Sequence, residues 1–157
     1  MIDSFTGQYR FLSNFWDCEV EFEGWKYPSV ENAYQAAKSL DPEVRQLFEE
    51  GTASNAKKMG KNLKELRPDW EEVKLSIMEN LVRQKFSRED LRIKLLETWP
   101  QELVEGNYWH DNFFGICSCK RKAECDGSGK NHLGKLLMKI RSEYFDAVVP
   151  PNILKEL

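Results

Sequence analysis

The 157-residue sequence contains no apolar run close to the roughly 20 residues that a membrane-spanning helix requires. Its first residues lack the basic segment and apolar core of a secretory signal, so we expect a cytoplasmic protein. Cysteine is scarce, with four residues in no regular framework spacing, and we expect these thiols to be reduced. These absences argue against a membrane protein and against a disulfide-stapled secreted scaffold.

An excess of charge of one sign is also missing. The 23 lysine and arginine residues face 26 aspartate and glutamate residues, which leaves a net charge of −3. A protein that binds duplex DNA mainly through the phosphates is usually basic overall. Any contact with nucleic acid must therefore be local.

The sequence does contain an aromatic-rich N-terminal stretch, followed by helical patterns. Alternation over Cys18–Phe22 ahead of Gly24 predicts a strand and a turn. Ser29 is a suitable N-cap for a helix that runs through Lys38. Capping residues and glycine stops predict two further helices, one from Pro42 to Gly51 and one from Ser54 to Met59 with a stop at Gly60. A capping box at Asp69 and an N-terminal signal at Ser87 predict the starts of two more. Apolar periodicity through Leu133, Leu137 and Tyr144 predicts the last helix.

Residues 101–131 form a long segment between the last two helices, and such a loop inside a domain is usually functional. The length of the chain favours one domain. We therefore predict a single domain over residues 1–157 of the α+β class, compact and mostly helical, with short strands near the N-terminus.

Glu31 lies in the first turn of the helix that Ser29 caps. The electrostatic interpretation, which the sequence alone favours, is that acidic side chains stabilise helix N-termini by ~0.3–1 kcal/mol. The catalytic interpretation rests on the aromatic residues Trp25, Tyr27 and Tyr34 nearby. An ionised carboxylate in an aromatic pocket is what a developing oxocarbenium ion needs.

Three lysines, Lys57, Lys58 and Lys61, surround Gly60. Such a cluster is ordinarily a solvated helix end, and the alternative is a phosphate site, since lysine binds phosphate as a point charge. Tyr108 and Trp109 pose a similar choice. They either fill the core under the long loop or stack on a base or ring.

Three cysteines, Cys117, Cys119 and Cys125, suggest a zinc site with His110 or His132 as the fourth ligand. Their spacing fits none of the common zinc patterns. A Cys–His nucleophile pair would require an adjacency that sequence does not reveal. Buried or loop thiols are favoured, so we predict no metal site and no cofactor.

Six segments, in order, resemble the NADAR family of YbiA-like N-glycosidases. They are Phe11–Phe15, Tyr27–Lys38, Lys58–Lys61, Leu66–Trp70, Asn107–Asp111 and Lys130–Met138. The resemblance implies a mostly helical α+β fold and hydrolysis of an N-glycosidic bond. It implies two substrate groups: ADP-ribosylated guanine in nucleic acid, or phosphorylated intermediates of riboflavin synthesis.

The resemblance also implies site residues: Glu31 matches the family's essential glutamate, and Trp70, Trp109 and Asp111 match other positions tied to activity or ligand binding. The chemistry of the side chains suggests their roles. Asp111 is expected to be a second carboxylate, for proton transfer or for binding a ribose hydroxyl. Arg67 is expected to give a bidentate phosphate contact, and Trp70 or Trp109 to stack on a base. The complete set of expected ligand-binding residues is Asn14, Tyr34, Lys38, Lys58, Gly60, Lys61, Arg67, Trp70, Trp109 and Asn131.

The cysteine-bearing loop from Ile116 to Ser128 differs from the shorter, glycine-rich stretch of the riboflavin branch. It favours an ADP-ribose-containing substrate, either a free nucleotide or an ADP-ribosylated nucleic acid. A non-catalytic module that binds NAD or ADP-ribose is the alternative of another class. The sequence leaves the oligomeric state open.

Overall fold

The computed structural model describes residues 1–148, which form two compact units. One unit comprises Asn14–Arg88, and the other comprises Met1–Ser13 with the chain from Glu89 onward. The elements of the first unit are β1 (Asp17–Phe22), β2 (Trp25–Ser29), α1 (Val30–Ala37), α2 (Pro42–Gln46), α3 (Ala53–Lys61) and α4 (Trp70–Phe86). Those of the second are a 3₁₀ helix (Gly7–Leu12), α5 (Glu89–Glu97), β3 (Gly106–Asn107), β4 (Ile116–Cys117) and α6 (His132–Val148). The predicted α+β class, mostly helical with short strands, is confirmed.

The predicted N-terminal strand is one arm of an antiparallel hairpin of β1 and β2. Glu23 and Gly24 connect the arms, and both have a left-handed backbone, with φ of 49° and 87°. Two consecutive positive φ angles are typical of the tight turn whose twist matches that of the flanking strands. The turn predicted at Gly24 is therefore confirmed.

Helix α1 is the centre of its unit, and all eight of its residues are buried. Ser29 caps it as predicted, because the Ser29 hydroxyl accepts a hydrogen bond from the Asn32 backbone N–H at 3.0 Å. The helix packs against the hairpin, α2, α3 and α4. A polar side chain on α1 is consequently surrounded by protein and needs a partner inside it.

The predicted starts of the next helices are largely right, and two of their ends are wrong. Asp41 caps α2 with Pro42 at its first position, but α2 ends at Gln46 and not at Gly51. The helix α3 does not end before Gly60 but continues to Lys61. Gly60 has no side chain because the helix packs closely at this position, and not because the helix ends there. The capping box at Asp69 is also wrong: the Asp69 carboxylate caps no backbone N–H and pairs with Arg67 instead.

In the other unit, α5 packs on α6, and the apolar stripe predicted for the last helix is buried. Leu133, Leu137 and Ile140 are completely inaccessible to solvent. The N-terminus joins this unit through a parallel bridge between Ile2 and Leu103. The long 101–131 segment contains the short parallel pair of β3 and β4. Within residues 1–148, no helix combines the length and the apolar character needed to cross a bilayer.

Candidate active site

Glu31 is a carboxylic acid held inside protein. Its side chain is only 8% exposed, in the first turn of α1. The Glu31 backbone N–H donates to the Asn14 carbonyl at 3.1 Å, which ties the start of the helix to the chain before β1. A helix N-terminus favours negative charge through its partial positive charge. The fold thus places a carboxylate at a helix N-terminus, away from bulk water.

Gln35 positions that carboxylate, a role that was not predicted from the sequence. Its Nε2 donates to Glu31 Oε1 at 2.8 Å, one helical turn away. Gln35 is itself buried, and its Oε1 has no hydrogen-bond partner among the described residues. The signal that was available is the four-residue spacing between Glu31 and Gln35 on one helix face.

Gly60 has a packing role, and its contact with a ligand stays a prediction. A Cβ added to Gly60 would lie 1.8 Å from Gln35 Oε1, 2.6 Å from its Cδ and 3.0 Å from its Cβ. Helix α3 can lie against α1 only because this position has no side chain. Gly60 therefore supports the Glu31–Gln35 hydrogen bond from the opposite helix.

Gly60→Ala is expected to lower kcat by roughly tenfold through Gln35, because the new methyl displaces the amide that holds Glu31. The measurement is a comparison of kcat for Gly60→Ala, Gln35→Ala and the double variant. If the glycine acts through Gln35, the double variant is no slower than Gln35→Ala alone. Additive losses would contradict this route.

Tyr34, three residues after Glu31 on α1, forms an aromatic pair with Trp70 at the start of α4. Their ring centroids are 5.0 Å apart at 55°, and each residue is only 6% exposed. Lys38 lies over the Tyr34 ring at 6.0 Å. Burial lowers the pKa of Lys38, and the charge of Glu31 opposes this shift. Trp70 is thus largely buried against Tyr34, and its stacking on a base stays a prediction.

Asn14, predicted to bind ligand, lies at the same helix start. Its carbonyl accepts the Glu31 N–H, and its Nδ2 contacts Met78 Sδ at 3.4 Å. The side chain is 8% exposed. Asn14 is thus placed to support Glu31, and its contact with a ligand stays a prediction.

Arg67 does not offer a free guanidinium for phosphate. Its Nε and Nη2 donate to the two oxygens of Asp69 at 2.7 and 3.2 Å. The backbone N–H of Arg67 donates to the Lys38 carbonyl at 2.7 Å. The two guanidinium donors that were predicted to bind phosphate instead bind the carboxylate of Asp69, two residues away. Together with the bond to Lys38, this pairing fixes the chain between α1 and α4.

The lysines of α3 differ from one another in their surroundings. Lys58 and Lys61 are exposed, whereas Lys57 is half-buried with its Nζ 5.8 Å from the centre of the Phe15 ring. Lys58 lies on the side of the helix opposite the buried Ala56 and Gly60. Of these three lysines, Lys57 is the one that lies against an aromatic ring. It was not among the residues predicted to bind ligand.

The other unit contains the remaining predicted residues. Asn107 is buried and folds the loop after it: its Oδ1 accepts from the N–H groups of Trp109 and Asp111, and its Nδ2 donates to the Asp111 carbonyl. Tyr108 and Trp109 are 67% and 53% exposed. The alternative in which they fill the core is therefore wrong, and two aromatic rings face solvent.

Asp111 is half-buried, and its carboxylate accepts hydrogen bonds from the backbone of the same loop. Its Oδ1 accepts from the N–H groups of Phe113 and Phe114 at 3.0 and 2.9 Å. Asn131 is engaged at both ends of its amide, with the Glu105 N–H and the Leu103 carbonyl. Asn131 thus holds the chain that precedes β3, and its contact with a ligand stays a prediction.

None of the four cysteines, all of which lie in residues 1–148, forms a disulfide, and three of them gather around His110. His132 is elsewhere, with its ring 4.6 Å from that of Phe113. The Arg121 backbone N–H donates to Cys119 Sγ and lowers the pKa of Cys119 to about 6, whereas burial raises the pKa of Cys125 to about 11. The side chains of His110, Cys117, Cys119 and Cys125 therefore lie together, although their sequence spacing matches no common zinc pattern.

A buried carboxylate at a helix N-terminus, with an aromatic ring on the same helix and a lysine directly after it, fits the class of glycosidases, because an anion can stabilise positive charge on a sugar. The NADAR domain model matches residues 4–144, and the chain belongs to this family. The curated relatives include N-glycosidase YbiA of Shigella sonnei, 35% identical over 147 residues, which span 89% of this chain and 84% of that protein.

Other relatives carry two kinds of name. N-glycosidase Npun_R5314 of Nostoc punctiforme is 36% identical over 141 residues, 86% of this chain and 85% of the relative. Riboflavin biosynthesis protein VVA0006 of Vibrio vulnificus is 32% identical over 136 residues, 85% of this chain but 35% of the relative. The NMR structure of the Escherichia coli protein YbiA has a TM-score of 0.77 and 31% identity, covering 96% of this chain and 90% of that one.

Proposed function

We propose that the protein hydrolyses the N-glycosidic bond of an ADP-ribosyl adduct, with ADP-ribosylated guanine in nucleic acid or nucleotide as its substrate. The observation that carries the proposal is the Glu31 carboxylate, buried at a helix N-terminus and oriented by Gln35. A ribosyl C–N bond breaks through a transition state with positive charge on the sugar. A fixed anion stabilises that charge more than it stabilises the neutral ground state.

The ADP-ribosyl part of the proposal is supported by the cations of the unit that contains Glu31. Lys38 is half-buried beside Tyr34, and α3 adds Lys57, Lys58 and Lys61. Lysines bind phosphate as point charges, so these cations suit a diphosphate. Asp111 remains the predicted second carboxylate, for proton transfer or for a ribose hydroxyl.

The second candidate is an N-glycosidase that acts on phosphorylated riboflavin intermediates. It is favoured by the relatives from Vibrio vulnificus and from maize, both named riboflavin biosynthesis proteins. Both candidates use Glu31 in the same way, so the substrate separates them. A non-catalytic ADP-ribose-binding module would bind without turnover.

The deciding experiment offers three substrates in parallel: an oligonucleotide with ADP-ribosylated guanine, NAD, and a phosphoribosyl-pyrimidine of the riboflavin type. Chromatography measures the released ADP-ribose, nicotinamide or free base, with Glu31→Gln as the inactive control. We expect release of ADP-ribose from the oligonucleotide. Cleavage confined to the pyrimidine substrate would favour the second candidate, and binding without release would favour the module.

Replacing Lys58 and Lys61 together with alanine is expected to weaken binding of ADP-ribose several-fold more than binding of guanosine. The reason is that exposed lysines attract the diphosphate, and this attraction is screened by salt. Calorimetric titration at two salt concentrations measures both ligands. The exposed pair Lys135 and Lys139 on α6, also changed to alanine, is the charge-matched control. Equal losses for both ligands would indicate a structural defect.

A further inference from the structure

Four potential metal ligands converge in the loop segment ahead of α6. They are His110, Cys117, Cys119 and Cys125, here called the Cys₃His cluster, and their ligand atoms all lie within 4.8 Å of one another. His110 Nδ1 is 3.3 Å from Cys125 Sγ, 3.4 Å from Cys119 Sγ and 4.0 Å from Cys117 Sγ. Three sulfurs around one imidazole nitrogen outline a small tetrahedron.

The size of this tetrahedron fits one ion. Tetrahedral zinc with Zn–S near ~2.3 Å and Zn–N near ~2.0–2.1 Å requires nitrogen and sulfur ligands about 3.6 Å apart, and sulfurs about 3.8 Å apart. The three N···S distances in the cluster bracket the first value. Ligand atoms this close leave space for a single ion and none for a cluster of several iron atoms.

The chain around the cluster is folded to present these atoms. The Lys120 N–H donates to the Cys125 carbonyl and the Cys125 N–H to the Lys122 carbonyl, which returns Cys125 to Cys119. His110 and Lys120 have left-handed backbones, with φ of 71° and 61°, a conformation that residues other than glycine adopt rarely. Local turns thus bring together ligands that the sequence spacing separates.

Hydrogen-bond donors point at two of the sulfurs. Asn112 Nδ2 lies 3.4 Å from Cys125 Sγ, and the Arg121 backbone nitrogen lies 3.4 Å from Cys119 Sγ. Metal-bound thiolates are typically oriented by such outer donors. Cys117 and Cys125 are buried, whereas His110 is exposed and Cys119 partly so, which leaves a path for an ion to enter.

We propose that the Cys₃His cluster binds one Zn²⁺ ion as a closed structural site. Three thiolates and an imidazole are ligands that zinc accepts in tetrahedral geometry, and four protein ligands leave no open position for catalysis. On binding, each cysteine loses its thiol proton as the Zn–S bond forms, and no oxidant or reductant is needed. The ion would fix the loop that bears Trp109 and Asp111, whatever the substrate.

The first test is metal analysis of the full chain, purified without a histidine tag and reconstituted with zinc under reducing conditions. We expect about one zinc per chain, released by titration of the thiols. Cobalt in place of zinc should give thiolate-to-metal charge-transfer bands and the visible bands of a tetrahedral site. These readouts use the unmodified chain, so they do not depend on the folding of any variant.

Variants then assign the ligands. Cys119→Ser, at the partly exposed ligand, should lose stoichiometric zinc or bind cobalt with weaker charge-transfer bands. Cys18→Ser is the matched control, because Cys18 is a buried cysteine of β1 outside the cluster, and it should retain one zinc. Lys120, Arg121 and Lys122 are exposed, so removing zinc from the unmodified chain should speed tryptic cleavage after them by loosening the loop.

Three outcomes would overturn the proposal. The first is failure of the reduced, unmodified chain to take up zinc. The second is an octahedral cobalt spectrum without charge-transfer bands. The third is a Cys119→Ser variant that equals the unmodified chain both in zinc retention and in the strength of its cobalt charge-transfer bands. Iron bound in place of zinc, with zinc unable to replace it, would overturn the identity of the metal.

Discussion

Glu31→Gln is expected to lower kcat by about 10²–10⁴-fold while leaving KM and the unfolding free energy nearly unchanged. Glutamine keeps the size of glutamate, and its amide can still accept a hydrogen bond from Gln35 inside α1. It removes only the negative charge. That charge matters more at an oxocarbenium-like transition state than in the ground state, so the loss appears in kcat.

The matched control is Glu43→Gln, because Glu43 also lies in the first turn of a helix but is exposed. It should change stability by no more than the ~0.3–1 kcal/mol of a helix-dipole contact and should leave turnover intact. If Glu31→Gln behaves like Glu43→Gln, the electrostatic interpretation of Glu31 is right. The glycosidase proposal would then lose its central residue.

The role of Glu31 as nucleophile or as base requires a second variant. Glu31→Ala vacates the space of the carboxylate, which a small anion such as azide or formate can enter. A covalent sugar–azide product, detected by mass spectrometry, would indicate a vacated nucleophile position. Faster hydrolysis without an adduct would indicate a general base.

Local chemistry explains the parts of the fold that were predictable from sequence. Ser29, Asp41 and Gly24 act on backbone groups within a few residues, so their effects can be read from the sequence around them. The buried stripe of α6 was predictable for the same reason, since a 3.6-residue period is visible along the chain. Most of the helix starts were right on these grounds.

Long-range packing explains what could not be predicted. The role of Gly60 depends on Gln35, which comes from another helix, and no local pattern reveals that approach. Arg67 is a different case, because its partner Asp69 is only two residues away; the sequence shows both residues but not that their side chains pair. The sequence therefore identifies candidate ligand-binding residues more readily than the residues they contact in the folded protein. Those contacts decide which candidates are available to a ligand.

The buried Lys85 predicts an unusual dependence of stability on pH. Lys85 is 1% exposed in α4, with its Nζ 5.1 Å from the centre of the Phe86 ring. Burial lowers the pKa of Lys85 to about 7, and Cys18 opposes this shift. An unfolded chain restores the ordinary lysine pKa of about 10.4, so between these two values the unfolded state binds more protons. The free energy of unfolding should consequently rise with pH across this window.

Lys85→Met should remove that dependence, because methionine fills a similar volume without a charge. We expect the variant to be more stable than the unmodified chain at pH 7, by on the order of a few kcal/mol, with the difference shrinking toward pH 10. Urea denaturation at pH 6 to 10 measures both curves, and Lys135→Met, at an exposed lysine of α6, is the control. Parallel curves for Lys85→Met and the unmodified chain would mean that Lys85 keeps its proton inside the folded protein, its burial compensated by the surrounding groups.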